Sequence, residues 1–187
     1  MQEYEFTLKF RLENSSENPE VYLAALEAAG CDDAAVGLGQ HGRIALNFTR
    51  SAQSAADAVS SAIFSVQKAI PGSRLVEATP DYVGITDVAE MFGFSRQHMR
   101  QLIVANEADF PQPAHEGKPS IWHLSHILQW FREHEARRFQ DDVYEISAVN
   151  MQINTYIAFR AMPTPLKENL VNFQLSSKLE TVVSSLN

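Results

Sequence analysis

Cysteine is almost missing from this chain: of its 187 residues, only Cys31 carries a thiol. One thiol excludes an intrachain disulfide and any cysteine-rich zinc site, and a buried Cys31 needs no role beyond that of a small apolar side chain. Long apolar runs are missing as well, none approaching the roughly 20 residues a membrane helix needs, so no membrane span is expected. No charged-then-apolar leader precedes the first polar stretch, and the expected location is the cytoplasm. Chemical signatures are equally scarce. No serine sits in a nucleophile-elbow pattern. Gly37-Leu38-Gly39 is at best a fragment of a phosphate-cradling motif and falls where a hairpin is expected. His123, His126 and His134 have a conceivable metal spacing on a helix, but no cysteine or correctly spaced His-Glu pair completes a site, and they read as surface or capping histidines. The expectation is a protein that is not an enzyme and holds no cofactor or metal.

Positive charge is also in short supply, with 15 Lys and Arg against 23 Asp and Glu for a net charge of −8. The deficit is uneven. Residues 1–81 hold 6 basic and 11 acidic side chains, residues 82–138 hold 6 and 7, and residues 139–187 hold 3 and 5. Five of the six histidines, His98, His115, His123, His126 and His134, lie in the middle segment, which therefore becomes positive when they titrate below neutral pH. The content of 45% hydrophobic and 20% charged residues is that of an ordinary globular chain, long enough for one real core or two small ones.

What is present begins with a strict alternation of Tyr4, Phe6, Leu8, Phe10 and Leu12 with Glu5, Thr7, Lys9 and Arg11, the pattern of a half-buried strand. Pro19 suits a first helical turn, and Val21, Leu23, Ala24, Leu26 and Ala28 continue a helix that Gly30 ends. Residues 34–38 and 43–49 read as strands joined through Gly39-Gln40-His41-Gly42. Ser51 is placed to cap a helix carrying Ala55, Val59, Ala62, Ile63, Val66 and Ile70, Pro71-Gly72 stop it, and residues 74–78 form a last strand. The order β-α-β-β-α-β predicts a ferredoxin-like α+β domain over residues 1–79, with two helices on one antiparallel sheet. That topology assigns no role by itself.

The stretch from Gly84 to Glu135 carries the chemistry. Thr86 is placed to cap a helix with Ile85, Val88, Ala89 and Phe92 on one face. Gly93 permits a positive φ, Phe94 points an apolar anchor inward, and Ser95 caps a second helix, so two helices meet at a tight turn. On the second helix Ser95, Met99, Leu102 and Ile103 share the inward stripe. Gln97, Arg100, Gln101 and Val104 lie opposite, with Arg96 and His98 on the flanks. Arg can donate two hydrogen bonds to guanine and Gln can pair with adenine in the major groove, so Ser95 through Gln101 is the expected reading segment of a DNA binder. An amphipathic surface helix with outward Gln and Arg is the plain alternative. Residues 110–115 and 116–119 read as two extended arms around a Gly-containing turn, a wing. Ile121 and Trp122 close it before Leu124, Ile127, Leu128 and Phe131 resume helical spacing.

Residues 85–89, Gly93-Phe94-Ser95-Arg96-Gln97, Phe110-Pro111-Gln112-Pro113, and Trp122 with residues 127–130 resemble the AlpA/excisionase-type branch of the MerR-like winged helix-turn-helix families. The likeness covers about the middle third of the chain. It implies double-stranded DNA as partner, the second helix in the major groove, and the wing beside the backbone or minor groove. Such proteins often carry several arginines along the wing, whereas this one offers His115 and Lys118. The whole order of elements also resembles bacterial DNA-binding proteins of two-part layout, which implies a protein that lies on the nucleoid when bound.

Thr79-Pro80-Asp81 reads as a short linker, which makes residues 80–136 the winged domain. Beyond it, Ile146, Val149, Ile153 and Tyr156 step by three and four as far as Met162-Pro163-Thr164-Pro165, and a last helix is expected from about Leu166. The stripe lacks an obvious partner nearby, so residues 137–187 are expected to pair two chains as a homodimer, with Asn150 fixing register, or else to fold back or hold another protein. Arg137-Arg138 is a small basic spot best read as a solvated helix end. The leading expectation is a dimeric, sequence-specific transcriptional regulator, a repressor. The alternatives are a protein-interaction module such as an antitoxin or phage-defence partner, and an excisionase-like architectural DNA binder.

Overall fold

The structure, a computed structural model, describes residues 1–134 and 139–164. Arg137-Arg138 and the helix expected from Leu166 lie outside the described residues. The fold is mixed α+β. Strand β1 (Gln2–Arg11) is followed by a 3₁₀ turn (Pro19–Tyr22), helix α1 (Leu23–Ala28), strands β2 (Ala34–Gly37) and β3 (Arg43–Ala52), helix α2 (Ala55–Ala69) and strand β4 (Arg74–Thr79). The four strands form one antiparallel sheet in the order β2-β3-β1-β4. Alternation decides its faces: Tyr4, Phe6, Leu8 and Phe10 are buried with Ile44, Leu46 and Phe48 beneath Leu26 of α1 and Ala58, Val59, Ala62 and Val66 of α2. Phe6 and Phe48, directly opposite in the register, stack at 5.3 Å between ring centroids.

Two local details depart from the expected pattern. Strand β3 runs past Thr49 to Ala52, because Ser51 and Ala52 stay paired with Glu3 and Gln2. The cap of α2 therefore falls to Ser54, the first hydroxyl beyond the ladder able to accept from the Asp57 amide, at 3.1 Å. Before β3, Gly42 has φ +70°, and a Cβ there would lie 2.4 Å from the Ser15 carbonyl oxygen, so only glycine fits this turn. On the helix-covered face of the sheet the buried Arg50 donates to both oxygens of Asp33, at 2.7 and 2.8 Å, and to the Gly30 carbonyl at 2.7 Å. This ties the α1–β2 connection onto β3 and commits one guanidinium to structure.

The second core is built from strand β5 (Tyr82–Gly84), helices α3 (Ile85–Met91) and α4 (Arg96–Ala105), strand β6 (Ile121–His123) and helix α5 (Leu124–His134). Val83, Val88, Ala89, Phe92, Met99, Phe110, Trp122, Leu128, Trp130 and Phe131 fill it. Helix α6 (Asp141–Ala161) then serves both cores: Ile146 is buried in the first, where Val149 and Ile153 also pack, and Val143 and Tyr144 pack on the second. The apolar stripe thus has a partner within the chain. Asn150 is buried and donates to the Pro80 carbonyl at 3.2 Å, so it serves the chain's own packing.

Compact units divide inside α6, into Met1–Asn154 and Thr155–Asn187. Of the second unit residues 155–164 are described, with the Arg160 guanidinium set over the Tyr156 ring. Within the first, residues 78–81 form a junction in which Ala78 and Asp81 are buried and Thr79 and Pro80 half-buried. Asn154 accepts from the Ala78 amide at 2.9 Å, donates to the Ala78 carbonyl at 2.8 Å, and donates to Asp81 Oδ2 at 2.8 Å. Asp81 is 1% exposed, its Oδ1 lies 2.7 Å from His123 Nδ1, and its carbonyl accepts from the Leu124 amide at 2.7 Å. Tyr4 adds a tether by donating to Glu145 at 2.7 Å.

Truncating Asn154 strands the Ala78 amide and carbonyl and leaves Asp81 short of a donor. Asn154→Ala is expected to cost roughly 2 to 4 kcal/mol in urea unfolding, far more than the about 0.5 kcal/mol of a neutral surface change. A loss of that smaller size would show that the junction does not carry the packing of α6.

Candidate nucleic-acid interface

The turn between α3 and α4 is specified atom by atom. Gly93, at φ +67°, follows the last residue of α3's cap, and its amide donates to the Glu90 carbonyl at 3.1 Å while the Phe94 amide donates to Ala89 at 2.7 Å. This crossed pair of bonds is the helix stop that a left-handed glycine makes possible. It delivers Ser95 in an extended conformation, and Ser95 Oγ accepts from the His98 amide at 3.1 Å to start α4. At the other end of α3 the expected Thr86 cap is not used: the cap lies two residues earlier, at Gly84, whose amide donates to Asp87 Oδ2 at 2.7 Å. Pairing of Gly84 with Ile121 fixes that start and places Thr86 inside the first turn.

Helix α4 divides cleanly. Met99 is 1% exposed and Leu102 is buried, with Ile103 half-buried beside them, whereas Arg96, Gln97, His98, Arg100, Gln101 and Val104 are all exposed. Ser95 is exposed too, standing before the first turn with its oxygen used as a cap. His98 sets its ring edge-on to Phe94, 4.6 Å between centroids, and flanks the face. The first turn contains no acidic residue, so the partial positive charge of its free amides is not neutralised locally. Among the described residues no ion pair engages Arg96, Arg100 or Lys118. The Lys9 ammonium, by contrast, lies 2.6 Å from Glu77 and the Arg132 guanidinium sits over the Tyr144 ring.

The segment expected to be a wing has a different pairing from two matched arms. Its regular partner is β5, with Tyr82–Gly84 opposite Ile121–His123, and the first arm joins only through a single bridge between His115 and Ile121. Pro111, Pro113 and Pro119 remove ladder donors along the loop, which accounts for so short a ladder. Side chains hold it instead: Trp122 Nε1 donates to the Pro111 carbonyl at 3.0 Å, and Phe110 meets Trp130 at 5.0 Å between centroids. His115 and Lys118 are exposed on this loop, the His115 ring folding back so close to Gly117 that a Cβ there would lie 2.5 Å from Nε2.

The structure thus brings residues 96–101 together on one helix with Ser95 at its cap, and carries His115 and Lys118 on a separate loop of the same core. No protein-family model, curated protein or solved structure matches the chain. The functional reading therefore rests on geometry and charge.

A cleft of about 950 Å³ is lined by Glu3, Glu5, Asp81 and Asp142 with no Lys or Arg, an acidic lining unsuited to phosphate, and a smaller one of about 240 Å³ carries Lys9 and Arg43 beside Glu77. Two of the histidines expected to share a helix are engaged and lie on different elements: His123 ends β6 and meets Asp81, and His134 in α5 stacks on Trp130 at 4.8 Å. Among the described residues no group of three His, Cys, Asp or Glu is arranged to hold a metal ion, and no helix is long and apolar enough to cross a membrane. Sequence reading missed Asp81 and Asn154, which bond to each other across 73 positions and leave no local signal.

Trp122, 8% exposed, both fills the second core and holds the loop, so Trp122→Ala is expected to lose about 3 to 5 kcal/mol. The remaining Trp130 emission reports the urea midpoint; an unchanged midpoint would contradict a structural role for this side chain.

Proposed function

We propose that the protein is a sequence-specific DNA-binding transcriptional regulator whose α4 enters the major groove. The observation that carries the reading is the exposed face of α4: two guanidiniums and two carboxamides on a helix whose opposite side is locked into a core, launched from a capped turn with uncompensated positive charge. Residues 80–136 then serve as a winged helix-turn-helix with His115 and Lys118 near the DNA backbone. The strand order β2-β3-β1-β4 supports reading residues 1–79 as a ferredoxin-like domain.

A homodimer belongs to the proposal, since two-fold pairing matches paired half-sites. Ile146, Val149 and Ile153 are used within the chain and do not supply the pairing surface. A second reading, a protein-interaction role for the first domain, is favoured by Phe64 and Val21, which are 69% and 66% exposed on its helical layer. The two roles are compatible in one regulator.

The test is selection of bound duplexes from a random pool at moderate and high salt. The expected result is an enriched inverted repeat with fixed half-site spacing. Arg100→Ala and Gln97→Ala should each cost about 1 to 3 kcal/mol on that repeat and relax preference at one base, while Lys118→Ala weakens all sequences alike and reduces the salt slope. A folded protein that enriches nothing, or base preferences unchanged in both α4 variants, would overturn the proposal.

A further inference from the structure

We infer that Val104 is a base-reading residue of α4 that selects thymine through apolar contact with its C5 methyl group. The inference rests on the DNA-reading proposal and extends it to a side chain with no hydrogen-bonding group. Val104 is 73% exposed, the most exposed large hydrophobic residue in any described helix or strand. Its place on the helix is specific. At 3.6 residues per turn, positions 97, 100, 101 and 104 fall within about 100° of arc, the i, i+3, i+4, i+7 set by which other major-groove helices present four reading side chains.

The surroundings of Val104 exclude simpler roles. It contributes nothing to the core, which takes Met99 and Leu102 from the other side of the helix. A β-branched residue in an exposed last turn does not favour the helix either, since Ala, Lys or Gln would hold it better. A protein-docking face needs apolar companions, and the neighbours of Val104 on this face are Gln97, Arg100 and Gln101, all exposed. In the major groove each base pair shows hydrogen-bonding groups, and thymine alone adds an exposed methyl, so an isolated apolar side chain among Arg and Gln matches that group and no other. Seven residues separate Gln97 from Val104, a rise of about 10 Å, or roughly three base-pair steps of about 3.4 Å. The thymine should therefore lie about three steps from the base that Gln97 reads.

Replacing each thymine of the selected duplex in turn by deoxyuridine removes the methyl and keeps every hydrogen bond of the pair. At one thymine per half-site the unaltered protein should bind about four-fold more weakly, the equivalent of one methyl group left in water (about 0.8 kcal/mol). Val104→Ala, with circular dichroism to show that it folds, should bind thymine and uracil equally at that position and keep its preferences elsewhere. Equal binding of all uracil duplexes by the unaltered protein, or discrimination retained by Val104→Ala, overturns this inference alone. Enrichment of no sequence at all overturns it together with the DNA-reading proposal.

Discussion

Asp81 is out of contact with solvent, held between Asn154 of α6 and His123 of β6. Removing a carboxylate from water costs several kcal/mol unless its lone pairs are met, and here one oxygen takes the Asn154 amide while the other faces the imidazole Nδ1. The same Asn154 amide closes the outer edge of β4 by pairing with both backbone groups of Ala78, as a further strand would. Asn150, one turn earlier, reaches the Pro80 carbonyl. A segment that looks like a linker is thereby the place where the sheet, the second core and the long helix are joined.

The proposed DNA reading asks for rigidity. Under that proposal α4 needs its side chains held by a body that does not yield, and it is backed by a core in which Phe92 stacks on Phe131 at 3.8 Å between centroids and Met99 and Leu102 are buried. The acidic excess of the chain lies mainly before Tyr82, and under the DNA-binding proposal it would be a salt-screened repulsive background to the local attraction of Arg96, Arg100 and Lys118. Affinity for any duplex should then be modest and strongly salt-dependent, leaving discrimination to the contacts of α4.

Elements whose periodicity reflects one buried face were legible in the sequence. The alternation through Tyr4 to Leu12 and the inward positions Met99 and Leu102 needed nothing but period two and period 3.6. Gly93 and Ser95 were readable because a left-handed residue followed by a hydroxyl is a local signal. Where several residues could serve, tertiary pairing chose: Ser54 over Ser51, and Gly84 with Asp87 over Thr86, because the strand ladders run further than propensity suggests. Least legible were Asp81, Asn150 and Asn154, since a buried polar side chain announces nothing until its distant partner is known. The stripe of Ile146, Val149 and Ile153 invited an intermolecular partner for the same reason: its cover, the first core, lies far back in the chain.

If residues 78–81 join the two cores as strongly as their bonding implies, the two cores open together. Both tryptophans, Trp122 and Trp130, lie in the second core, so their emission follows it alone, while hydrogen exchange at Leu8 and Leu46 follows the central strands. Measured across one urea series, the two probes should give the same midpoint and the same slope. Tryptophan emission that shifts at lower urea while the central-strand amides stay protected would show two bodies merely tethered, and would contradict a joining role for Asp81 and Asn154.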